Sequence, residues 1–172
     1  MKILVINPGS TSTKIAVYEN ETPLLVRNIK HTVEELSVYP QVIDQFEFRK
    51  NLVLQELEAN GIPFAFDAVI GRGGLVKPIP GGVYAVNEAM KQDTLHAMRT
   101  HACNLGGLIA AELASALPHC RAFIADPGVV DEREEIAHIS GSPLLPKITI
   151  WHALNQKAIA RRFAKEQGSR YE

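Results

Sequence analysis

The stretch that decides the fold reads Asn7-Pro8-Gly9-Ser10-Thr11-Ser12-Thr13-Lys14. It follows the apolar run at residues 3–6 and leads into residues 14–18, which are rich in strand-favouring side chains. Residues 24–29 read as a third strand, and the links between these segments are short and contain Pro, Gly, Ser or Asn. Short links favour antiparallel neighbours, so the chain is predicted to open as a three-stranded antiparallel meander.

Helices and strands alternate after this meander. Helical segments are predicted at residues 42–60, 88–99, 105–117 and about 151–165, and strands at residues 68–70, 83–86 and 122–125. A meander followed by such alternation predicts an α/β layered domain, with helices packed on a mixed sheet. No linker rich in Pro, Gly or Ser divides the chain, so residues 1–172 are assigned to a single domain.

Composition places the chain among ordinary globular proteins. It has 172 residues, of which 46% are hydrophobic and 22% charged, and its formal net charge is -1. No basic excess indicates a nucleic-acid partner, and no apolar run approaches the length that crosses a membrane. Cys103 and Cys120 lack metal-ligand spacing, and without a secretion signal they predict a cytoplasmic protein with free thiols.

The residue types at positions 7–14 suit phosphate binding. The segment holds the amide of Asn7, the hydroxyls of Ser10 and Ser12 among others, and the cation of Lys14. Hydroxyls and backbone N–H groups in a tight turn form a concavity that binds anions, and a nearby lysine adds charge. The same residue types are common in hairpin turns, so composition favours a phosphate site and a polar turn equally.

Two charged residues are predicted at the carboxyl ends of buried strands, where open α/β sheets place their ligands. Arg72 lies between two glycines, and its planar guanidinium suits a carboxylate or a phosphate. Asp126 follows the strand at residues 122–125 and could hold Mg²⁺ through water or position a reacting group. Taken singly, a surface arginine and a capping aspartate are good alternatives.

Two histidines are candidates at helix starts. His152 opens the last predicted helix, where the helix dipole disfavours the imidazolium but leaves a neutral N–H donor for developing negative charge. His101 precedes the helix at residues 105–117 and has a weaker version of the same argument. The alternative for both is a packed or capping histidine, and the remaining histidines carry no specific signal.

The order of these features resembles the acetate and butyrate kinase family, within the actin-like ATPase superfamily. Residues 7–14 look like the first phosphate-loop hairpin of that family. Segments similar to the butyrate kinase branch are Gly71-Arg72-Gly73-Gly74-Leu75, Pro80-Gly81-Gly82-Val83-Tyr84, Val86-Asn87-Glu88, His101-Ala102-Cys103-Asn104-Leu105-Gly106-Gly107, Asp126-Pro127-Gly128-Val129-Val130-Asp131-Glu132 and Trp151-His152-Ala153-Leu154-Asn155-Gln156-Lys157-Ala158. The resemblance covers essentially the whole chain and is weakest at residues 32–60.

This resemblance implies a ribonuclease H-like, actin-like ATPase fold and a phosphotransferase reaction. A phosphoryl group passes reversibly between ATP and a short-chain carboxylate, with Mg²⁺, to give an acyl phosphate and ADP. Residue by residue, it implies that phosphate is bound by Asn7, Ser10, Ser12 and Lys14, and that the substrate is bound by Arg72, Gly74 and His101. It implies a metal-side carboxylate at Asp126. The catalytic residues that it implies are Arg72, Asp126 and His152.

A departure in the arginine motif concerns the acyl group. Acetate kinases usually show Arg-Val-Val-His-Gly-Gly where this chain has Arg72-Gly73-Gly74-Leu75. The missing valine side chain is expected to enlarge the pocket, and each further buried methylene of a substrate contributes roughly 0.8 kcal/mol. Butyrate or a branched relative is therefore the expected substrate, and acetate, propionate or an aromatic acid are the alternatives.

Length is the second departure. Family members are about twice as long and have two domains. The resemblance therefore implies that residues 1–172 are the N-terminal domain, that the C-terminal nucleotide-binding domain is missing, and that this half alone is inactive. Full-length members usually form homodimers. A stand-alone, non-catalytic ligand-binding domain is a further alternative, and the DNA downstream of codon 172 distinguishes the two.

Overall fold

The computed structural model of the protein describes residues 1–97, 99–145, 147, 150 and 153–171. The strands in this part of the chain are β1 (Lys2–Pro8), β2 (Ser12–Glu19), β3 (Thr22–Lys30), β4 (Ala68–Arg72), β5 (Val83–Ala85) and β6 (Arg121–Ala125). The α-helices are α1 (Val33–Ser37), α2 (Phe46–Ala59), α3 (Glu88–Leu95), α4 (Asn104–Ser115) and α5 (Ala153–Glu166). Short 3-10 helices lie at Val42–Gln45 and Glu135–His138. None of the described helices is long and apolar enough to cross a bilayer.

The strands form one mixed sheet of six, in the order β3-β2-β1-β4-β6-β5. The first three pair antiparallel, which confirms the predicted meander. β4 lies parallel to both β1 and β6, and β5 closes the edge antiparallel to β6. The predicted α/β architecture with a mixed sheet is therefore confirmed.

One face of this sheet packs against α2 and α4 to form the hydrophobic core. The residues that build it come from alternate strand positions and from the inner sides of the two helices, and include Leu4, Ile6, Ile15, Val17, Val69, Val53, Leu57, Leu105, Ile109 and Leu113. The intervening strand positions point to the opposite face. That second face is the one that carries the polar ends of β1, β2 and β4.

Helix α4 lies very close to β4 because glycines face one another across the contact. A Cβ built on Gly71 would lie 2.1 Å from the carbonyl oxygen of Gly106, and one on Gly106 would lie 2.4 Å from that of Arg72. Neither position has room for a side chain. This contact fixes the end of β4, and therefore Arg72, against the start of α4.

Two local features differ from the sequence prediction. The helix predicted at residues 88–99 ends at Leu95, because the backbone of the C-cap residue His96, with φ of -107° and ψ of 19°, leaves helical geometry. The five-residue helix α1 was not predicted, although Thr32 and Glu35 form a capping box at its start. It is too short to show a helical period in the sequence.

Candidate active site

Polar residues of three strands lie side by side on the second face of the sheet. Asn7 and Lys14 are cross-strand partners on β1 and β2. β1 and β4 pair in a parallel register that makes the next residues along, Asn7 and Arg72, neighbours at the carboxyl ends of their strands. Ser12 shares this face because it lies two residues before Lys14 on β2. The structure thus brings four predicted site residues to one edge.

Arg72 and Asp126 form an ion pair at this edge. Arg72 Nη2 donates to Asp126 Oδ2 at 3.2 Å, and the two side chains are 28% and 14% exposed. The pair follows from topology, since Arg72 lies opposite Ala125 where β4 and β6 run in parallel. No other hydrogen bond of the Arg72 side chain is present in the described residues, so the rest of its donor fork can receive an anion.

The backbone at Asp126 is strained. Its φ of 52° lies in the left-handed region, which residues other than glycine adopt rarely. Its Oδ1 accepts from the Asn155 N–H at 3.3 Å, in the first turn of α5. Asp126 therefore pairs with Arg72 and also makes the predicted capping contact, while its predicted role at a metal or a reacting group stays a prediction. Backbone strain of this kind concentrates at functional sites.

His101 faces the hairpin at residues 7–14. Its Nε2 lies 3.4 Å from Ser10 Oγ, and its Nδ1 accepts from the Cys103 N–H at 3.2 Å. In the neutral ring the proton therefore sits on Nε2, the nitrogen that faces Ser10. Burial raises the pKa of the Cys103 thiol while the Arg72 charge opposes that shift. The Cys103 thiol stays protonated, and His101 is the side chain that presents an N–H group to the hairpin.

The glycines after Arg72 do not open an acyl pocket. A Cβ on Gly73 would lie 2.7 Å from Pro127 Cβ, and one on Gly74 would lie 2.6 Å from Asn104 Cα. The expected enlargement by loss of a valine side chain is therefore wrong, because neighbouring atoms already fill that space. Asn104, which was not predicted as a site residue, fixes this loop by accepting from the backbone N–H of residue 75 at 2.9 Å.

A cavity of about 630 Å³ is lined in part by residues that follow Arg72 and Asp126 along the chain. Its apolar lining includes Leu75, Val76, Pro78, Ala97, Val129 and Ile150. Leu75 and Val129 each lie three residues beyond Arg72 and Asp126, so chain length alone places them within roughly 11 Å of the pair. Arg72 itself does not line the cavity. The space available to an apolar group is therefore lined by Leu75 and the residues after it, and not by Gly73 and Gly74.

Two predictions concern a metal and a histidine. Among the residues that the structure describes, no three His, Cys, Asp or Glu side chains form a group that could hold a metal ion. Asp126 is the predicted metal-side carboxylate at this edge. His152 lies outside the described residues, and α5 is described from Ala153 onward. Its role as a phosphoryl donor stays a prediction.

A residue that the sequence interpretation missed lies beneath the hairpin. Arg49 of α2 is fully buried and donates to oxygen atoms of residues 10–13. The sequence does carry a signal for it. Arg49 lies three residues after Phe46 and four before Val53, on the apolar side of α2. An arginine at a core position needs buried acceptors, and the hairpin supplies them.

Comparison with known proteins gives close relatives by sequence. No protein-family model matches the chain. It is 94% identical over 172 residues to a probable butyrate kinase of Bacteroides thetaiotaomicron, covering 100% of the chain and 49% of the relative. A probable butyrate kinase of Phocaeicola vulgatus is 54% identical, with 100% and 48% covered. Butyrate kinase 1 of Clostridium acetobutylicum is 50% identical, with 99% and 48% covered. The chain thus spans about half the length of these relatives.

Solved structures share the fold at low identity. Acetate kinase of Porphyromonas gingivalis matches with a TM-score of 0.64 and 15% identity, covering 98% of this chain and 49% of that one. Acetate kinase of Entamoeba histolytica gives 0.58 at 13% identity, with 96% and 47% covered. A propionate kinase of Francisella tularensis gives 0.58 at 14%, with 98% and 49% covered. The predicted actin-like ATPase fold is confirmed, and along its whole length the chain is similar in sequence to about half of each of these butyrate kinases.

Proposed function

We propose that these residues form the N-terminal half of a carboxylate kinase that converts butyrate, or a branched short-chain acid, and ATP to an acyl phosphate and ADP. In this reaction a carboxylate oxygen forms a bond to the γ-phosphorus while the bond from that phosphorus to the bridging oxygen breaks, and ADP leaves with the electron pair. The reaction is reversible. The relatives that share this sequence are named butyrate kinases, and this supports the proposal.

The site residues divide into two groups in this proposal. Asn7, Ser12 and Lys14 on the sheet face receive phosphate oxygens, and Arg72 binds the carboxylate or the phosphoryl in transfer. Asp126 holds the guanidinium in place through the 3.2 Å contact. Phosphoryl transfer depends on positioning and charge stabilisation, so an arginine that is oriented before the substrate arrives reduces the reorganisation needed in the transition state.

ATP and Mg²⁺ are the cofactors that this reaction needs. Mg²⁺ is usually bound by one or two carboxylates together with substrate phosphates and water, and Asp126 at the strand end fits such a donor set. When bound, the ion neutralises charge on the phosphates as the phosphoryl moves. The nucleotide is assigned to the half of the relatives that this chain does not match. The free thiols of Cys103 and Cys120 fit a cytoplasmic protein.

The apolar cavity supports an acid with a hydrocarbon tail. Its volume of about 630 Å³ exceeds what a butyrate tail occupies, and Leu75, Val76 and Val129 are among the residues that line it. A carboxylate bound at Arg72 would direct its tail away from the charged pair and along Val129 and Leu75. Acetate or propionate is the second candidate substrate, because the solved structures with this fold are acetate and propionate kinases.

The Arg72–Asp126 ion pair at the edge that carries Asn7 and Lys14 is the observation that supports this function most directly. The test uses a chimera in which the 172 residues replace the matching half of the Bacteroides thetaiotaomicron relative. Acyl phosphate is trapped with hydroxylamine in the presence of ATP, Mg²⁺ and acids from acetate to valerate. We expect butyrate or isobutyrate to give the highest kcat/KM.

A pair of substitutions in this chimera separates the site from the rest of the fold. Arg72→Gln is expected to lower kcat by at least about 100-fold, since it removes a charge that acts on the transferring group. Arg121→Gln, at the exposed start of the neighbouring strand β6, is the matched control and is expected to keep activity. Equal activity in the two variants would contradict the assignment. A chimera that folds but forms no acyl phosphate from any of the acids would favour a non-catalytic domain.

A further inference from the structure

Arg49 holds the turn of the hairpin at residues 7–14 from below. Nη1 donates to the Ser12 carbonyl at 3.1 Å and to Thr13 Oγ1 at 2.9 Å, and Nη2 lies 3.5 Å from the Ser10 carbonyl. The remaining donors are taken by Gln45 Oε1, at 3.0 Å from Nε and 2.9 Å from Nη2. The side chain is 0% exposed. One guanidinium therefore joins α2 to three acceptors of the turn, which are the carbonyls of Ser10 and Ser12 and the hydroxyl of Thr13.

The charge of Arg49 has no counter-ion in the described part of the chain. Its hydrogen-bond acceptors are amide, hydroxyl and backbone carbonyl oxygens, all of them neutral. Burial lowers the pKa of Arg49 to about 10, so the group still carries its charge at neutral pH. A buried cation that is hydrogen-bonded but not neutralised is costly to keep. Its field also acts strongly on nearby groups, because little water screens it.

The contacts of Arg49 determine which groups of the turn face outward. The Ser10 carbonyl points inward to the guanidinium, and across a planar trans peptide the Thr11 N–H points the opposite way. In the described residues the N–H groups of Ser10 and Thr11 donate to no acceptor, whereas the Gly9 N–H donates to the Ser12 carbonyl at 2.7 Å. Inward carbonyls and outward N–H groups are the arrangement that binds an anion.

We propose that Arg49 is a positioning residue for phosphate: it turns the carbonyls of Ser10 and Ser12 away from the ligand and places an unneutralised positive charge beneath the turn. The inference rests on the proposed function, since it assumes that residues 7–14 bind a phosphate group. It adds that the affinity of this turn depends on a residue of α2 that never touches the ligand.

The test separates the charge of Arg49 from its structural contacts. Gln45→Glu keeps the shape and the hydrogen bonds to Arg49 but adds a carboxylate that neutralises it. The probe is inorganic phosphate, titrated into the ¹⁵N-labelled chain, with chloride at equal ionic strength as the reference. In the unsubstituted protein the Ser10 and Thr11 amide signals are expected to shift with phosphate and not with chloride. Gln45→Glu is expected to weaken phosphate binding about tenfold, as loss of one nearby charge at an effective dielectric constant of about 20 implies.

Gln55→Glu is the matched control, because it adds the same charge to an exposed position of the same helix. Its phosphate affinity is expected to stay within about twofold of the original, since solvent screens an exposed charge. A purely structural Arg49 predicts no loss of affinity in Gln45→Glu. A folded Gln45→Glu chain that binds phosphate as well as Gln55→Glu would therefore overturn the inference.

Two further outcomes distinguish the possible failures. If phosphate shifts no amide of the hairpin in the unsubstituted chain, the proposed phosphate site fails, and the role of Arg49 fails with it. If Gln45→Glu does not fold, Arg49→Lys and Arg49→Met are compared. Lysine keeps the charge and methionine does not, so equal phosphate affinity in these two variants would overturn the inference.

Discussion

Replacing Gly106 with alanine tests whether the contact between α4 and β4 positions the site. Gly106 lies in the first turn of α4, and a Cβ there would lie 2.4 Å from the carbonyl oxygen of Arg72 and 3.2 Å from its nitrogen. Both of these are backbone atoms, so no side-chain rotation can relieve the overlap. The helix and the strand must move apart by about 1 Å to restore an ordinary contact distance.

The size of the effect follows from two opposing contributions. Overpacking of this kind costs about 1–3 kcal/mol and occasionally more, and here the overlap falls on rigid backbone. Alanine in place of glycine in a helix recovers about 1 kcal/mol of propensity. Because the overlap falls on backbone atoms, the upper end of the remaining range is expected, a loss of about 2 kcal/mol in the free energy of unfolding. For a domain of this size, such a loss lowers Tm by about 4–8 °C.

Thermal and urea unfolding, followed by far-ultraviolet circular dichroism, measure this change. Gly107→Ala is the matched control, because its Cβ would meet only a methyl group of Ile124, at 2.8 Å. Gly141→Ala, with nothing within 4 Å of its Cβ, gives the baseline. We expect Gly106→Ala to be clearly the least stable of the three. If it is as stable as the unsubstituted chain, the close packing is not what holds Arg72 in place.

Three further predictions concern pH, charge and the cavity. Burial, and then the charge of Arg49, lower the pKa of His31 below its ordinary 6.5. The stability that neutral His31 provides is therefore complete above pH 6.5 and is lost on acidification. Urea unfolding at pH 7 and pH 5 should show a smaller loss in the free energy of unfolding for His31→Gln than for the exposed control His119→Asn. In the chimera, Asp126→Asn keeps a residue type that tolerates left-handed backbone but removes the carboxylate, so kcat should fall by at least about 100-fold with little change in Tm, and unchanged turnover would contradict its role. Val129→Phe narrows the cavity and should lower the kcat/KM ratio of valerate to acetate by about tenfold, roughly the value of two buried methylenes; an unchanged ratio would place the acyl tail elsewhere.

The strand framework of the site could be predicted because local sequence specifies it. Short polar links and strand-favouring side chains gave the meander, and a buried strand ahead of a charged residue placed Arg72 and Asp126 at strand ends. Parallel neighbours bring such ends to one edge of a sheet, and the ion pair lies there. Predictions that depend on the period of a strand and on the residue just after it therefore agree with the structure.

The prediction that depends on which atoms fill a given volume, an enlarged pocket beside Gly74, was wrong. Whether an absent side chain leaves a hole depends on elements that are distant in sequence, and the space beside Gly74 is taken by the backbone at Asn104. The role of Arg49 was missed for the same reason, because the acceptors that an arginine needs at a core position belong to another segment of the chain. These are tertiary contacts, and neither periodicity nor residue type specifies them.

The two sides of the site are supported in different ways, and this difference bears on how such a site could work. The hairpin is held from inside the core, by a buried arginine that contacts its carbonyls directly. Asp126 is held from outside, by the ion pair with Arg72 and by the first turn of α5. A displacement of α5 would therefore change the capping contact at Asp126 and could reach the orientation of Arg72, while it would leave the contacts of Arg49 with the hairpin intact. The hairpin, the proposed phosphate side, is thus supported from the core, and the Arg72–Asp126 pair, the proposed carboxylate side, is the part whose geometry responds to movement of a neighbouring helix.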